Sequence, residues 1–433
     1  MTARSHDSLQ DADTLIERFD QVRSHTEQLA SPLSPEDQTV QSMADVSPTK
    51  WHRAHVTWFF ETFLLAEAES GFTPFQDQYW FLFNSYYESL GPRFTRAERG
   101  YITRPGAHDV GVYRGNVDAR VRDLVSTLDG GSLEKLADTI ELGFHHEQQH
   151  QELLLMDIKH VLSVNPLQPV YGGCAAPQSE SDQLGWVDVE GGLVEVGHVG
   201  DGFSFDNEMP RHRTWLEPYR MADRLVTNNE WLHFMADGGY DRPELWLSDG
   251  WARVNAEGWR APLYWNDLDG VWHEHTLHGT QPVDPGLPTT HLSHYEADAY
   301  ATWTGKRLPT EEEWEHAVVS DGQADAEEAG GNLADTETFH ARTAGPPTGH
   351  LRQVYGDCWE WTSSSYLPYP GFHAPDGAIG EYNGKFMSNQ MVLRGGCALT
   401  PPGHARLTYR NFFPPGARWA MSGLRLADGG APA

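Results

Sequence analysis

The run His145-His146-Glu147-Gln148-Gln149-His150-Gln151-Glu152 places several metal-binding and proton-transferring side chains within two turns of a helix. At helical spacing His146 and His150 lie one turn and about 40° apart, on the same face as Leu142, Leu153 and Asp157. Two neutral imidazoles so arranged make half of a metal site. The third candidate is His55, which shares a largely aromatic stripe with Trp51, Trp58, Phe59 and Leu65, Thr62 being its one small polar member. His52 falls at the edge of that stripe. One histidine on an apolar helix face is ordinarily a hydrogen-bonded core residue, whereas three on two helices, two of them at i and i+4, point to ligation. His52 and His145 are expected at the surface or behind the ligands as supports. Three nitrogen ligands leave coordination positions open, so the centre is expected to be catalytic, and ligand type alone permits zinc or iron.

Between the two histidine segments lies a non-periodic stretch carrying Tyr86, Tyr87, Arg93 and Arg96. Paired phenols could move a proton or an electron, and a guanidinium could clamp a carboxylate. The same residues also read as loop anchors and as a local offset to acidic neighbours.

Helices must position these groups. Ala12 to Gln28 has Leu15, Phe19 and Val22 at helical spacing. Ser47-Pro48 reads as an N-cap followed by proline at the first helical position. A third helix is expected over Asn116 to Leu128, and a long fourth from a Ser132 cap to about Val164. Four such helices pack as a bundle over residues 1–165. Pro166, Pro169, Gly172, Gly173 and Pro177 mark a linker over 166–184. Residues 185–433, rich in glycine, proline and tryptophan with short β-like runs such as Gly192 to Val196, read as an α+β domain with much coil. Gly322 to Asp335 is acidic and is expected to be a solvated loop.

The chain of 433 residues, 12% aromatic and 39% hydrophobic, is that of a packed multidomain protein. Its net charge of −31 and its few lysines (Lys50, Lys135, Lys159, Lys306, Lys385) argue against nucleic acid or an anionic membrane as a partner. Three cysteines, Cys174, Cys358 and Cys397, suit a reducing compartment. No apolar leader opens the chain, and no apolar run approaches the roughly 20 residues that span a bilayer. The expected setting is the cytoplasm.

The C-terminal half resembles the formylglycine-generating-enzyme fold, a relative of the C-type lectins. The resemblance is carried by Phe205-Asp206-Asn207-Glu208-Met209-Pro210-Arg211-His212, Gly305-Lys306-Arg307-Leu308-Pro309-Thr310-Glu311-Glu312-Glu313-Trp314-Glu315, Trp359-Glu360-Trp361-Thr362 and Leu393-Arg394-Gly395-Gly396. The N-terminal half, with Trp51 to His55 and the His-x-x-x-His-x-Glu run ending at Glu152, resembles the DinB-like bundle. Both halves in this order resemble the non-haem iron sulfoxide synthases of ergothioneine biosynthesis. The copper-dependent oxidases of the C-terminal fold carry a cysteine pair after Arg-Gly-Gly, and Pro402 to Arg410 has none. Cys358 and Cys397 are therefore assigned to structure.

The resemblance implies Fe(II) held by His55, His146 and His150, with hercynine (Nα-trimethylhistidine), cysteine and dioxygen as substrates and hercynylcysteine sulfoxide as product. It implies that Gln149 and Asn411 hold the hercynine carboxylate, in a site between the two domains. The branch that uses γ-glutamylcysteine carries an acid after the asparagine, where this chain reads Asn411-Phe412-Phe413. That difference, with Tyr86 and Tyr87, resembles the branch using free cysteine, and Arg93 and Arg96 become candidates for its carboxylate. A selenium donor, γ-glutamylcysteine, or a DinB-type zinc hydrolase or thiol transferase are the alternatives.

Overall fold

The computed structural model describes residues 11–172, 182–377 and 380–429; Gly173, Cys174 and Pro177 lie outside the described residues. The chain divides into two units, Met1–Leu167 with Val199–Phe203 and Pro375–Tyr382, and Gln168–His198, Ser204–Ala374 and Asn383–Ala433.

The first unit is built on four helices: α1 (Ala12–Ala30), α2 (Thr49–Phe60), α3 (Ala107–Thr127) and α4 (Gly130–Val164). Pro48 stands just outside α2 as its cap residue, one position before the expected first helical turn. The expected Ser132 cap is displaced as well: the Asp129 carboxylate accepts the Ser132 N–H at 2.8 Å and starts the helix earlier. α3 begins nine residues before the expected Asn116, where Asp109 accepts the Gly106 N–H at 2.9 Å. Gly111 and Gly115 inside it hide this start from sequence reading, because glycine weakens helix propensity. A π-turn, Glu61–Leu65, continues α2.

Leu15, Phe19, Trp58, Phe60, Val117, Val121, Ile140 and Phe144 form the bundle core. At Gly143 a Cβ would stand 2.6 Å from the Phe60 ring, so only glycine lets α2 and α4 approach this closely, three residues before His146. The roll of α4 is fixed by Glu147, which accepts from Arg23 (2.8 Å), Arg114 (3.0 Å) and Thr26 (2.6 Å). Burial alone would favour its protonated form, but the two guanidiniums override this and hold the carboxyl below the usual range. This network ties α1, α3 and α4 together, and removing one partner of such a buried group leaves a charge unpaired, at a cost of about 3 to 5 kcal/mol.

Among the described residues the second unit contains four small sheets. A three-stranded sheet has the order β1 (Trp186–Val189), β4 (Tyr219–Ala222), β12 (Ala427–Gly429). A four-stranded sheet runs β10 (Asn411–Phe413), β9 (Met391–Arg394), β8 (Trp359–Ser365), β11 (Ser422–Gly423). The others are the ribbon of β2 (Gly192–Val196) with β3 (His212–Leu216), and β5 (Trp265–Leu268), β6 (Val271–Thr276) and β7 (Gly279–Pro282). The motifs that carry the resemblance are largely buried ion pairs. Glu311 meets Arg410 through two 2.8 Å bonds, Glu360 grips Arg425 at 2.8 and 2.9 Å, and Glu315 pairs with Arg394. Gly395 has φ of +95°, and a Cβ there would meet the Val354 carbonyl oxygen at 2.6 Å, which accounts for glycine after Arg394.

Cys358 and Cys397 are both buried, and burial pushes the Cys358 thiol well up. The acidic stretch is solvated over most of its length, with Asn332 and Ala334 near its end buried. No helix among the described residues is long and apolar enough to cross a membrane.

Candidate metal centre

His55 projects from α2, and His146 and His150 from α4; one ring nitrogen of each lies within 4.8 Å of the others. The His55 imidazole is sandwiched between indoles of its own helix, with Trp51 at 4.6 Å and Trp58 at 5.7 Å between centroids, both within 15° of parallel. Its Nδ1 faces the Phe83 carbonyl oxygen at 2.6 Å, which makes Nδ1 the donor and leaves Nε2 with its lone pair.

Burial holds all three rings neutral: His55 and His150 are pushed well below the usual histidine range, and His146 falls to about 4. His146 Nδ1 is buried with no hydrogen-bond partner. An orphaned nitrogen in a cluster of neutral imidazoles fits a divalent transition metal, which takes nitrogen lone pairs and offsets the cost of burying them.

His52 and His145, expected at the surface or behind the other histidines as supports, are both buried. His52 Nδ1 lies 2.8 Å from His150 Nδ1, and its Nε2 lies 2.9 Å from Asp157 Oδ2. His145 stacks on Phe203 with centroids 3.8 Å apart, and Arg18 reaches its Nε2 at 3.3 Å.

In the segment between α2 and α3, Asn84 pins the turn by bonding both the N–H and the carbonyl of Tyr87 (3.1 and 3.0 Å). The Tyr87 ring lies 5.6 Å from Trp58, two aromatic contacts from His55. Tyr86 Oη accepts from Arg96 at 3.2 Å. Burial opposes ionisation of this phenol, yet Arg96 and Arg99 outweigh it and hold Tyr86 below the usual tyrosine range.

Arg93 pairs with Glu88 at 2.8 Å, on an exposed edge. Sequence reading passed over Arg99, which is 2% exposed, donates to Ser47 and Ser85 (2.8 and 2.9 Å), and stacks 3.3 Å over Trp51. Burial pulls it down to about 9. The recurrence of arginine at 93, 96 and 99 was the available signal, because every third residue shares a face in the 3-10 turn Arg96–Tyr101.

Gln149, beside His150, is half-buried. In the second unit Asn411 and Phe412 sit on β10, in register with Leu393 and Val392. Phe412 stacks on Tyr366 with centroids 4.1 Å apart, and Phe413 packs on Trp419.

Residues 18–154 match the DinB superfamily, and residues 174–429 match the sulfatase-modifying factor enzyme 1-like domain. The hercynine oxygenase of Mycolicibacterium smegmatis is 32% identical, over 88% of this chain and 91% of that protein. The chain belongs to the hercynine oxygenase family. A hercynine oxygenase from Mycobacterium tuberculosis is 31% identical over 71% of this chain and 77% of its own length. The formylglycine-generating enzyme of Streptomyces coelicolor is 27% identical over 59% of the chain and 92% of that enzyme. As a member of the hercynine oxygenase family the protein is an oxidoreductase of the α+β class, with a helical DinB-type unit ahead of a sulfatase-modifying-factor-type unit.

Proposed function

We propose that the protein is an Fe(II)- and dioxygen-dependent sulfoxide synthase that joins the sulfur of free cysteine to the imidazole carbon of hercynine. The observation that carries this reading is the cluster of His55, His146 and His150 in a chain of the hercynine oxygenase family. Iron bound by these imidazoles would supply the redox chemistry that dioxygen requires and zinc lacks. The reaction balances with no further reductant. Forming the C–S bond and oxidising sulfur to the sulfoxide release two electrons each; dioxygen takes all four, one oxygen ending on sulfur and the other in water. The two hydrogens of that water come from the thiol and the imidazole carbon.

Gln149 and Asn411 would hold the hercynine carboxylate by hydrogen bonds. Arg96, and Arg93 beside it, would receive the cysteine carboxylate, with Arg99 adding a buried positive charge to the same segment. Tyr86 is the better proton donor of the two phenols, because Arg96 and Arg99 ease the departure of the proton from its Oη. Tyr87 would shape the neighbouring wall through its contact with Trp58. The absence of a carboxylate from Asn411-Phe412-Phe413 favours cysteine over γ-glutamylcysteine, whose glutamyl ammonium group would find no carboxylate partner there.

The test is anaerobic loading with Fe(II), addition of hercynine and cysteine, admission of air, and measurement of product mass with oxygen uptake. A product heavier than the two joined substrates by one oxygen supports the reading. Turnover with Zn(II) and no oxygen uptake would assign the centre to hydrolysis or thiol transfer instead.

A further inference from the structure

Asp157 lies on α4 two turns beyond His150, and His52 faces both from α2. Asp157 Oδ2 accepts the Ser47 N–H at 2.7 Å and sits 2.9 Å from His52 Nε2. A carboxylate oxygen in that place accepts, so His52 Nε2 carries the hydrogen. A neutral ring with its hydrogen on Nε2 can only accept at Nδ1. His150 Nδ1, 2.8 Å away, must then be the donor, and the His150 lone pair falls on Nε2. The chain of three residues thus selects one tautomer of His150 and holds its ring plane.

We infer that His52 and Asp157 are positioning residues that orient His150 and set how tightly the centre holds a metal. The inference rests on reading His55, His146 and His150 as ligands. His55 receives the same service from a backbone carbonyl, Phe83 O, which no substitution can remove. The relay through His52 is therefore the part of the ligand support that side-chain chemistry controls, and its carboxylate end adds a negative charge that offsets an incoming cation.

Co(II) serves as the probe, titrated into the apo full-length protein and followed by its visible absorption, with thermal unfolding of each apo variant as a check on folding. His52→Leu should weaken Co(II) binding about 10- to 100-fold and shift the absorption band. His52→Gln should recover most of the loss, since its carbonyl can accept from His150 and its amide can donate to Asp157. Asp157→Asn, nearly identical in shape, should bind about tenfold more weakly with unfolding unchanged. Nitrogen-15 NMR of the apo protein should find the His150 hydrogen on Nδ1. Equal Co(II) binding in wild type and His52→Leu, or equal losses in the Leu and Gln variants, would overturn the relay. So would a His150 hydrogen on Nε2. If His55→Ala instead binds Co(II) as wild type does, the ligand reading itself fails.

Discussion

The imidazole of His55 lies face to face with the indole of Trp51, 4.6 Å between centroids and 15° from parallel, and the Arg99 guanidinium also stacks on that indole, at 3.3 Å. An imidazole held this way has little rotational freedom, so the direction of its nitrogen is set by the packing alone. Trp51→Leu should remove the stack and open a partly filled cavity, lowering stability by about 3 kcal/mol on the scale of large core truncations. Iron affinity should fall with it. His55→Ala, His146→Ala and His150→Ala should each abolish iron binding, read by metal analysis after dialysis. Retention of iron in any of the three would remove that residue from the ligand set.

Gln149→Leu and Asn411→Leu should leave iron content unchanged and weaken hercynine binding. Each would lose a hydrogen bond to a charged carboxylate, which corresponds to about 1.5 to 3 kcal/mol. Calorimetric titration of the anaerobic iron-loaded protein checks this, and hercynine affinities equal to wild type in both variants would refute the assignment.

The double variant Tyr86→Phe, Tyr87→Phe should still bind iron and both substrates. Without a phenolic proton source, coupling should lose ground to simple oxidation of the thiol, so the ratio of cysteine sulfinate to sulfoxide product should rise in mass-spectrometric product analysis. An unchanged ratio would remove the phenols from the chemistry. In the wild type, kcat/KM should be higher for cysteine than for γ-glutamylcysteine, and the reverse order would overturn the choice of donor.

Asp298, in the helix His294–Trp303, is lifted by burial to about 6. Its unfolded value lies near 3.9. The folded state therefore holds a proton that the unfolded state has lost between these two values, and stability from this group declines as pH rises through that window. Above pH 6 the carboxylate is ionised in both states and destabilises the fold. Asp298→Asn should add about 1 to 3 kcal/mol at pH 8, with the gain vanishing toward pH 4. Denaturant unfolding at both pH values is the measurement, and an equal gain at both would exclude a titration origin.

The clustering of His55, His146 and His150 was legible because i, i+4 histidines and an aromatic stripe obey helical periodicity. His52 was not, for a specific reason: every residue of α2 from Thr49 to Phe60 is buried, so the helix has no wet side and a position at the edge of the stripe is still interior. Arg99 escaped notice because its worth depends on Ser47, Ser85 and Trp51, which the fold brings to it from elsewhere in the chain. In the second unit the motifs identified the fold well, since residues such as Glu315 and Arg394 are chosen by ion pairs across the core. The pairing order of its short strands was invisible, because strands of two to seven residues carry too little alternation to specify partners.

The helical unit takes Val199–Phe203 and Pro375–Tyr382 from sequence far beyond α4. Its gene segment is therefore discontinuous, and a cut after Leu167 would yield a fragment missing two of its own pieces, including the Phe203 ring that covers His145. Modular transplantation of the metal-binding half, by swapping everything ahead of the boundary between related enzymes, would separate a histidine-bearing helix from the cover it has in the parent chain. Chimeras should join at positions that keep both returning segments with the bundle they complete.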